Sequence, residues 1–354
     1  MPIFAALAFT AVVALFAWKP ASGAPEPFDL RARPQPTTTL VAVGDILLGR
    51  SLGVLMEQAG DYSLPFAGIS GELTSADLTF GNLEGPFCGE PPYPASGMVF
   101  RVRPAAVAGL VAAHFSVMSV ANNHFENGGD ACMRFSLEHL HKAGIATAGA
   151  GVTYEDAHAP AILTRHGVRF AFLGYTYAQR NDEPEATRGV IAGRNPERVR
   201  RDVRAARALA DVVIVSLHDG TEYTSRVAPE TVEFARAAID AGAAVVLGHH
   251  PHVPQRVERY HDGWIFYSLG NFVFEQNTPP ETRTALMARV TFAGTLVVRA
   301  EAVPVVIDWH SRPRLANAEE AAPILRRIGL ESQSVWPPAE AARAGIQFLP
   351  QFRP

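Results

Sequence analysis

Between Leu40 and Phe274 the chain repeats one pattern that admits few folds. Short β-rich apolar runs alternate with Ala- and Arg-bearing stretches of helical period. The helical stretches run from Pro104 to Ala113, Asp130 to Ala143, Pro196 to Ala210 and Pro229 to Ala241. Such alternation predicts an α/β layered sheet. From Thr284 to Asp308 the pattern changes to two consecutive strands with a turn at Gly294, and beyond Ser311 the tail reads as helical and Pro-rich.

In an open α/β sheet the ligand site forms where strands end, because rigid strands gather the following loops on one rim. The residues after the apolar runs are therefore the ones to inspect. Leu40 to Gly44 leads to Asp45, Leu78 to Asn82 leads to Glu84, and Phe115 to Val120 leads to Asn122, Asn123 and His124. Val212 to Ser216 leads to His218, and Ala243 to Gly248 leads to His249, His250 and His252. Carboxylate, amide and imidazole groups delivered to one rim form the ligand mixture that suits zinc, manganese or iron.

Taken singly, each residue also has a plainer reading. Asp45 fits a helix cap, Glu84 a turn acid, and His218 a satisfied core histidine. The Asn122-Asn123-His124 run fits a turn in which Asn accepts left-handed backbone. Gly248-His-His-Pro-His252 is the sharpest element, because a rigid proline between His250 and His252 lets both rings turn toward one ion.

The ordered set resembles the binuclear metallophosphoesterases. It resembles more specifically the poly-γ-glutamate capsule biosynthesis (CapA) proteins, through Val43-Gly-Asp-Ile-Leu-Leu-Gly-Arg50, Gly81-Asn-Leu-Glu-Gly85, Ala121-Asn-Asn-His124, His218-x-Gly-x-Glu-Tyr223, Gly248-His-His-Pro-His-Val253 and Tyr267-Ser-Leu-Gly-Asn-Phe-Val-Phe274. The resemblance implies a layered metallophosphoesterase-like fold with its metal site at the strand C-terminal ends. It implies two divalent ions (Mn, Zn or Fe), with Asp45, Asn123, His218, His250 and His252 as ligands and Glu84 bridging or, failing it, Asn82. His124 is then the proton donor to the leaving group. Arg50 either clamps an anionic substrate or is a solvated arginine at a helix end. Asn82, Asn122, Glu222, Tyr223, His249 and Asn271 stand behind the ligands and orient them.

Two positions depart from the family pattern, and a third from that of ordinary metallophosphatases, as the resemblance to this family leads one to expect. Asn127 stands where an Asp is usual, Asp219 where a Trp is usual, and Leu47 where ordinary metallophosphatases carry a histidine ligand. Losing the first carboxylate weakens a charged His124, with Glu126 or Asp130 as neighbours that could compensate. Asp219 either adds a carboxylate near the site or is solvated. Leu47 implies a looser or altered first metal site.

At the N-terminus an uncharged apolar run from Ile3 to Trp18 precedes Lys19-Pro20 and the small residues Ala21 to Ala24, which reads as export. Cleaved leader and retained anchor both fit, the latter giving the only membrane contact expected. The expected organisation is a leader or anchor over 1–24, a linker over 25–39, a CapA-type domain over 40–310 and an extension over 311–354. Cys88 and Cys132 fit either a disulfide or two free thiols. A net charge of -4 and a pI near 6.3 give no reason to expect nucleic acid. The partners expected are an anionic polymer or phosphoester and, through the resemblance, membrane-bound capsule synthesis subunits. Two functions follow: an exported phosphoesterase-like hydrolase, or a noncatalytic subunit that binds and guides polymer. A metal-free sugar- or nucleotide-binding α/β protein leaves the convergence of five strand ends without a cause.

Overall fold

The computed structural model describes residues 36–329 and 346–347. The expected leader and all of the linker before residue 36 lie outside them. The chain opens with β1 (Thr37–Ile46), α1 (Arg50–Ala59), α2 (Ser70–Thr74), β2 (Leu78–Leu83), α3 (Val107–Ala112), β3 (Val117–Ser119), α4 (Gly129–Lys142) and β4 (Ala146–Ala148). Next come β5 (Ala150–Gly151), α5 (Tyr154–His158), β6 (Ala161–Arg165), β7 (Val168–Thr176), β8 (Val190–Ile191), α6 (Pro196–Leu209), β9 (Val212–His218), α7 (Pro229–Asp240), β10 (Val245–His249), β11 (Val257–Tyr260) and β12 (Gly263–Phe266). The last elements are β13 (Asn271–Val273), β14 (Thr284–Ala293), β15 (Leu296–Ile307), β16 (Pro313–Leu315), α8 (Ala318–Arg327) and β17 (Ile346–Gln347).

Two sheets result. One runs β16-β15-β14-β1-β2-β3-β4, with β13 beside β1 and β17 beside β15; the other runs β11-β12-β10-β9-β7-β6. Strict alternation along each strand decides which layer a side chain enters. Leu40, Ala42, Phe170, Phe172, Val212, Ile214, Val245 and Leu247 point into the space between the sheets and form one core. Phe80 and Phe172 stack across it with ring centroids 5.7 Å apart. The odd-numbered partners face outward under helices: Val41 and Val43 meet Leu52, Met56 and Leu110, while Val213 and Val215 meet Val199, Val203 and Phe234. With both faces covered, the strands read as unbroken apolar runs rather than as a polar–apolar alternation. The order of layers is helix, sheet, sheet, helix.

The expected helices and the β14–β15 hairpin are present, with Gly294 at φ 58° in its turn. The boundaries differ at both ends of the expected domain. Thr37 to Thr39, grouped with the linker, begin β1 and pair with Thr291 to Ala293 of β14. Their β-branched side chains suit a strand, and Thr38 is buried. At the other end, β16 pairs with β15, and Ala321, Ile324 and Leu325 of α8 join the inter-sheet core. The described part of the extension therefore packs as part of the same body. Cys88 and Cys132 are joined as a disulfide, tying the loop after β2 to the first turns of α4. No helix among the described residues is long and apolar enough to cross a membrane.

Two local devices hold the rim in place. At Gly44, β1 shifts register between its partners, and Asp45 N–H donates to Gly270 O at 3.0 Å. A Cβ at position 44 falls 1.9 Å from that same carbonyl oxygen. The second device fastens the loop between β7 and α6. His158 of α5 donates to Asp182 of that loop at 2.7 Å and meets Asp202 of α6 at 2.9 Å, while Tyr175 O–H also donates to Asp202. Burial alone would lower the His158 pKa, but the two aspartates raise it to about 9.

Gly44→Ala is expected to cost about 3 kcal/mol through overpacking against backbone, read as a lower urea midpoint; an unchanged midpoint contradicts the close approach. The raised His158 pKa makes its contribution complete below its ordinary value of 6.5 and lost as pH rises through about 9. His158→Gln should therefore be less stable at pH 6 and lose the wild-type fall in stability between pH 6.5 and 9; a parallel pair of pH profiles would refute the clamp.

Candidate metal centre

The parallel strands deliver their last residues in register. Asp45 of β1 lies opposite Asn82 of β2 on one side and Asn271 of β13 on the other. In the second sheet Thr176, His218 and His249 are aligned across β7, β9 and β10. The next row, one residue further along, contains Tyr177 and His250, whose rings lie 4.7 Å apart. Asp45, Asn82, Glu84, His218, His249 and Asn271 are fully buried. A polar cluster of this kind persists only if its members satisfy one another or a ligand.

Amide orientations fix the network. Asn122 donates to Leu83 O at 2.8 Å and accepts from His124 N–H at 3.1 Å, so backbone groups set both ends of its amide. Its Nδ2 also donates to Asn82 Oδ1 at 3.1 Å, which leaves Asn82 Nδ2 as the donor to Asp45 Oδ1 at 2.8 Å. The same Nδ2 faces His218 Nδ1 at 3.2 Å, making that nitrogen the acceptor and His218 Nε2 the donor to Asn123 Oδ1 at 2.8 Å. His218 and Asn123, both expected as ligands, thus have these atoms engaged with each other and with Asn82. A parallel argument holds for His252. Asn271 Nδ2 donates to Thr282 O at 3.1 Å, so its Oδ1 accepts the Nδ1 proton of His252 at 2.8 Å. The lone pair of His252 available to a ligand is therefore on Nε2.

The remaining groups are short of partners. Both oxygens of Glu84, both ring nitrogens of His249 and Nδ1 of His250 are buried without a hydrogen bond. His252 Nε2 stands 3.7 Å from Glu84 Oε1, and His249 Nδ1 stands 3.4 Å from Asp45 Oδ1. Two sets have ligand atoms mutually within 4.8 Å: Asp45, Glu84 and His252, and Glu222, His250 and His252. Among the described residues no lysine or arginine pairs with Asp45, Glu84 or Glu222; the ion contacts of Asp45 and Glu84 are to histidines alone. Clustered carboxylates and imidazoles with unpartnered atoms fit a divalent cation, which satisfies both the charge and the lone pairs. The charge balance agrees in direction. Burial, with Asp45 and Glu222 adding to it, pushes Glu84 well above the usual carboxylate range. Burial would raise Asp45 too, but the His249 and His252 rings hold it well below.

His124 stands at the edge of this cluster, with Nε2 3.9 Å from Glu84 Oε1. Asn127 Oδ1 accepts from Phe100 N–H at 2.8 Å and contacts His124 Nδ1 at 2.9 Å. The amide therefore orients the ring as a carboxylate would, without supplying its charge; burial lowers the His124 pKa, with Asn127 opposing. Neither expected substitute acts here: Glu126 pairs with Arg180 at 3.0 Å, and Asp130 pairs with Arg134 and accepts from Gly189 N–H, both at 2.6 Å. Asp219 is neither a ligand candidate nor solvated. It is buried, accepting from Arg194 and Thr231 at 2.6 Å each. Leu47 is buried in the core cluster under the helices. Arg50 is turned toward Glu275, with Nη2 3.7 Å from its carboxylate and the guanidinium 5.9 Å from the Phe100 ring centroid.

Phe100, Phe274 and Tyr177 did not emerge from the sequence. Phe100 stacks on His124 at 3.9 Å, and Phe274 lies 5.0 Å from His252. Phe100 arrives on a long connection whose destination no local pattern announces; Tyr177 directly follows the apolar run of β7, a strand end the sequence reading passed over; Phe274 belongs to a quoted motif but carries no polar group to draw attention. Gln276 is another such residue: it donates to Tyr223 O–H at 2.8 Å and accepts from Asn271 at 3.0 Å, wiring the rim tyrosine to the partner of His252.

Comparison with known proteins gives a consistent result. Residues 39–276 match the family described as bacterial capsule synthesis protein PGA_cap. The chain is 31% identical to the capsule biosynthesis protein CapA of Bacillus anthracis, over 82% of this chain and 72% of that one. It is 31% identical to the PGA biosynthesis protein CapA of Bacillus subtilis, over 83% of this chain and 78% of that one. A probable polyglutamine synthesis accessory protein of Mycobacterium tuberculosis is 33% identical over 57% of each chain.

The amide network generates a stability prediction. Asn82→Leu removes the partners of Asp45 Oδ1 and His218 Nδ1 while keeping similar volume, and should cost about 3 kcal/mol or more, since each buried group left unsatisfied costs ~1–3 kcal/mol. Urea unfolding in metal-free buffer measures it; a loss below the error of the fit would show that the network contributes nothing to folding.

Proposed function

Because the chain belongs to the bacterial capsule synthesis protein family, a metallophosphoesterase-like family, we propose that it is an exported accessory protein of capsule or poly-γ-glutamate synthesis whose rim is a divalent-metal hydrolase site. The observation that carries the reading is Glu84: a buried carboxylate with neither oxygen partnered, set beside Asp45 and the Nε2 of His252. Asp45, Glu84 and His252 would hold the ion. When bound, a manganese, zinc or iron ion supplies positive charge that polarises a phosphoester oxygen and makes an adjacent water more acidic.

The protein's own residues do the rest. Asn271 and Asn82 keep His252 and Asp45 aimed, so the ligand atoms need no reorganisation when the ion enters. His124, with Nδ1 held by Asn127, presents Nε2 to the rim, where it takes a proton and returns it to the leaving oxygen. Phe100 and Phe274 wall off His124 and His252 from water. Arg50, beside Phe100, is placed to hold an anionic group of the substrate outside that wall. An anionic polymer or its phosphorylated precursor is the substrate class this supports. The names of the Bacillus relatives support capsule or polymer synthesis as the setting, in company with membrane-bound synthesis subunits. The apolar run from Ile3 to Trp18 and the Cys88–Cys132 disulfide support an oxidising, exported location.

Elemental analysis of the purified protein, with hydrolysis of a generic phosphomonoester and phosphodiester in added manganese or zinc, tests the reading. Near-stoichiometric metal and metal-dependent turnover are expected, and His252→Ala should lose both at unchanged circular dichroism, with metal affinity down about 100-fold or more. Folded, metal-free and inert wild-type protein would instead identify a polymer-binding subunit without catalysis.

A further inference from the structure

The turn after β9 carries a carboxylate expected only to orient other groups, and its construction points to a closer role. Glu222 has a carboxylate oxygen within 4.8 Å of ligand atoms of both His250 and His252. His250 is 4% exposed, and its Nδ1 has no hydrogen-bond partner. The two segments are built against each other. Tyr223 N–H donates at 2.8 Å to Pro251 O, the carbonyl of the residue between the two histidines. Gly220 makes the approach, with φ 118° and room for a Cβ only in contact with Pro251. Tyr223, His250 and His252 all hold left-handed backbone, at φ 63°, 95° and 58°. For residues other than glycine this conformation costs roughly 1–2 kcal/mol each. Together these conformations and the Tyr223–Pro251 bond set Glu222 beside the imidazoles, on a turn that is otherwise free to face solvent.

We propose that Glu222, together with His250, is a direct ligand of the cation that His252 binds through Nε2, so that this ion is held from two sides, by Glu84 from the first sheet and by the Glu222 turn from the second. This rests on the metal-site reading above. The assignment explains why a carboxylate beside two imidazoles has no arginine or lysine partner among the described residues. With its loop on the surface and the remaining ligands buried, Glu222 is the ligand through which the ion enters and the one whose loss disturbs the fold least.

The experiment is calorimetric titration of Mn²⁺ into chelator-stripped full-length protein, comparing wild type, Glu222→Gln and Glu230→Gln, followed by Co²⁺ spectra of Glu222→Cys. Glu222→Gln is expected to weaken Mn²⁺ about tenfold or more, with circular dichroism unchanged, while Glu230→Gln, at an exposed carboxylate in the first turn of α7, binds as wild type. Glu222→Cys with Co²⁺ should show a sulfur-to-cobalt charge-transfer band that wild type lacks. If Glu222→Gln binds Mn²⁺ as tightly as wild type, the ligand assignment is wrong and the Asp45–Glu84–His252 site stands. Weakened binding without the charge-transfer band also overturns ligation, showing that Glu222 acts through its charge at a distance. Wild-type protein that takes up no Mn²⁺ overturns the metal-site reading itself.

Discussion

Asp45 is a carboxylate with no access to water at the point where two sheets converge, and keeping it charged there organises the rest of the rim. An ionised group stripped of solvent costs several kcal/mol unless its lone pairs are met. Here they are met by Asn82 at 2.8 Å and by the His250 N–H at 3.3 Å, while the rings of His249 and His252 lie 3.4 and 3.2 Å away. Those partners come from β2, from the end of β10 and from the loop after it. The strands of both sheets must therefore end at one level, and the register pairs Asp45–Asn82 and His218–His249 are how they do so. A slip of one residue in any of them would turn its polar group into the apolar layer.

The site divides its rigidity between two kinds of backbone. On the strands the polar groups are locked by amides whose orientation backbone atoms dictate, as Leu83 O and Thr282 O do for Asn122 and Asn271. Beyond the strand ends the chain adopts left-handed conformations at Arg50, Tyr223, His250 and His252, none of them glycine. Such strain persists only where surrounding contacts over-determine it. The inner half of the rim is thus set by sheet geometry, and the outer half by turns pressed against one another.

That division also explains what the sequence could and could not disclose. Runs such as Val212 to Ser216 announce a strand, and the polar residue that follows is automatically at its end, so Asp45, His218 and His249 were visible without a structure. Which of them face each other was not. The pairing of His218 with Asn123 depends on an amide chain that spans β1, β2 and the turn after β3, and a linear pattern does not record it. Phe100 lies in a long connection, and it reaches His124 because that connection is tied to Asn127 and to the Cys88–Cys132 disulfide. Thr37 to Thr39 were hidden for a simpler reason: a Pro- and Thr-rich segment looks like a linker until a partner strand is known, and β14 is about 250 residues away by sequence, the kind of separation that periodicity ignores.

The two departures from the family pattern, together with Leu47 in place of the histidine of ordinary metallophosphatases, act on charge more than on shape. Leu47 replaces an expected imidazole by core packing. Asn127 keeps the hydrogen bond that aims His124 while withholding a carboxylate, and Asp219 brings in a carboxylate that Arg194 neutralises at 2.6 Å. None of these changes leaves an unpaired charge outside the cluster itself. Among the described residues, the rim carboxyl groups without an arginine or lysine partner are accordingly Asp45, Glu84 and Glu222, gathered around His252, where a cation would be attracted most strongly in a water-poor setting. A chain that had abandoned cation binding would gain stability by replacing Glu84 with an apolar residue, since a buried carboxylate with two unpartnered oxygens is among the most costly groups a core can contain. With the amides that aim its neighbours in place, its two free acceptor oxygens are groups that a divalent cation would satisfy.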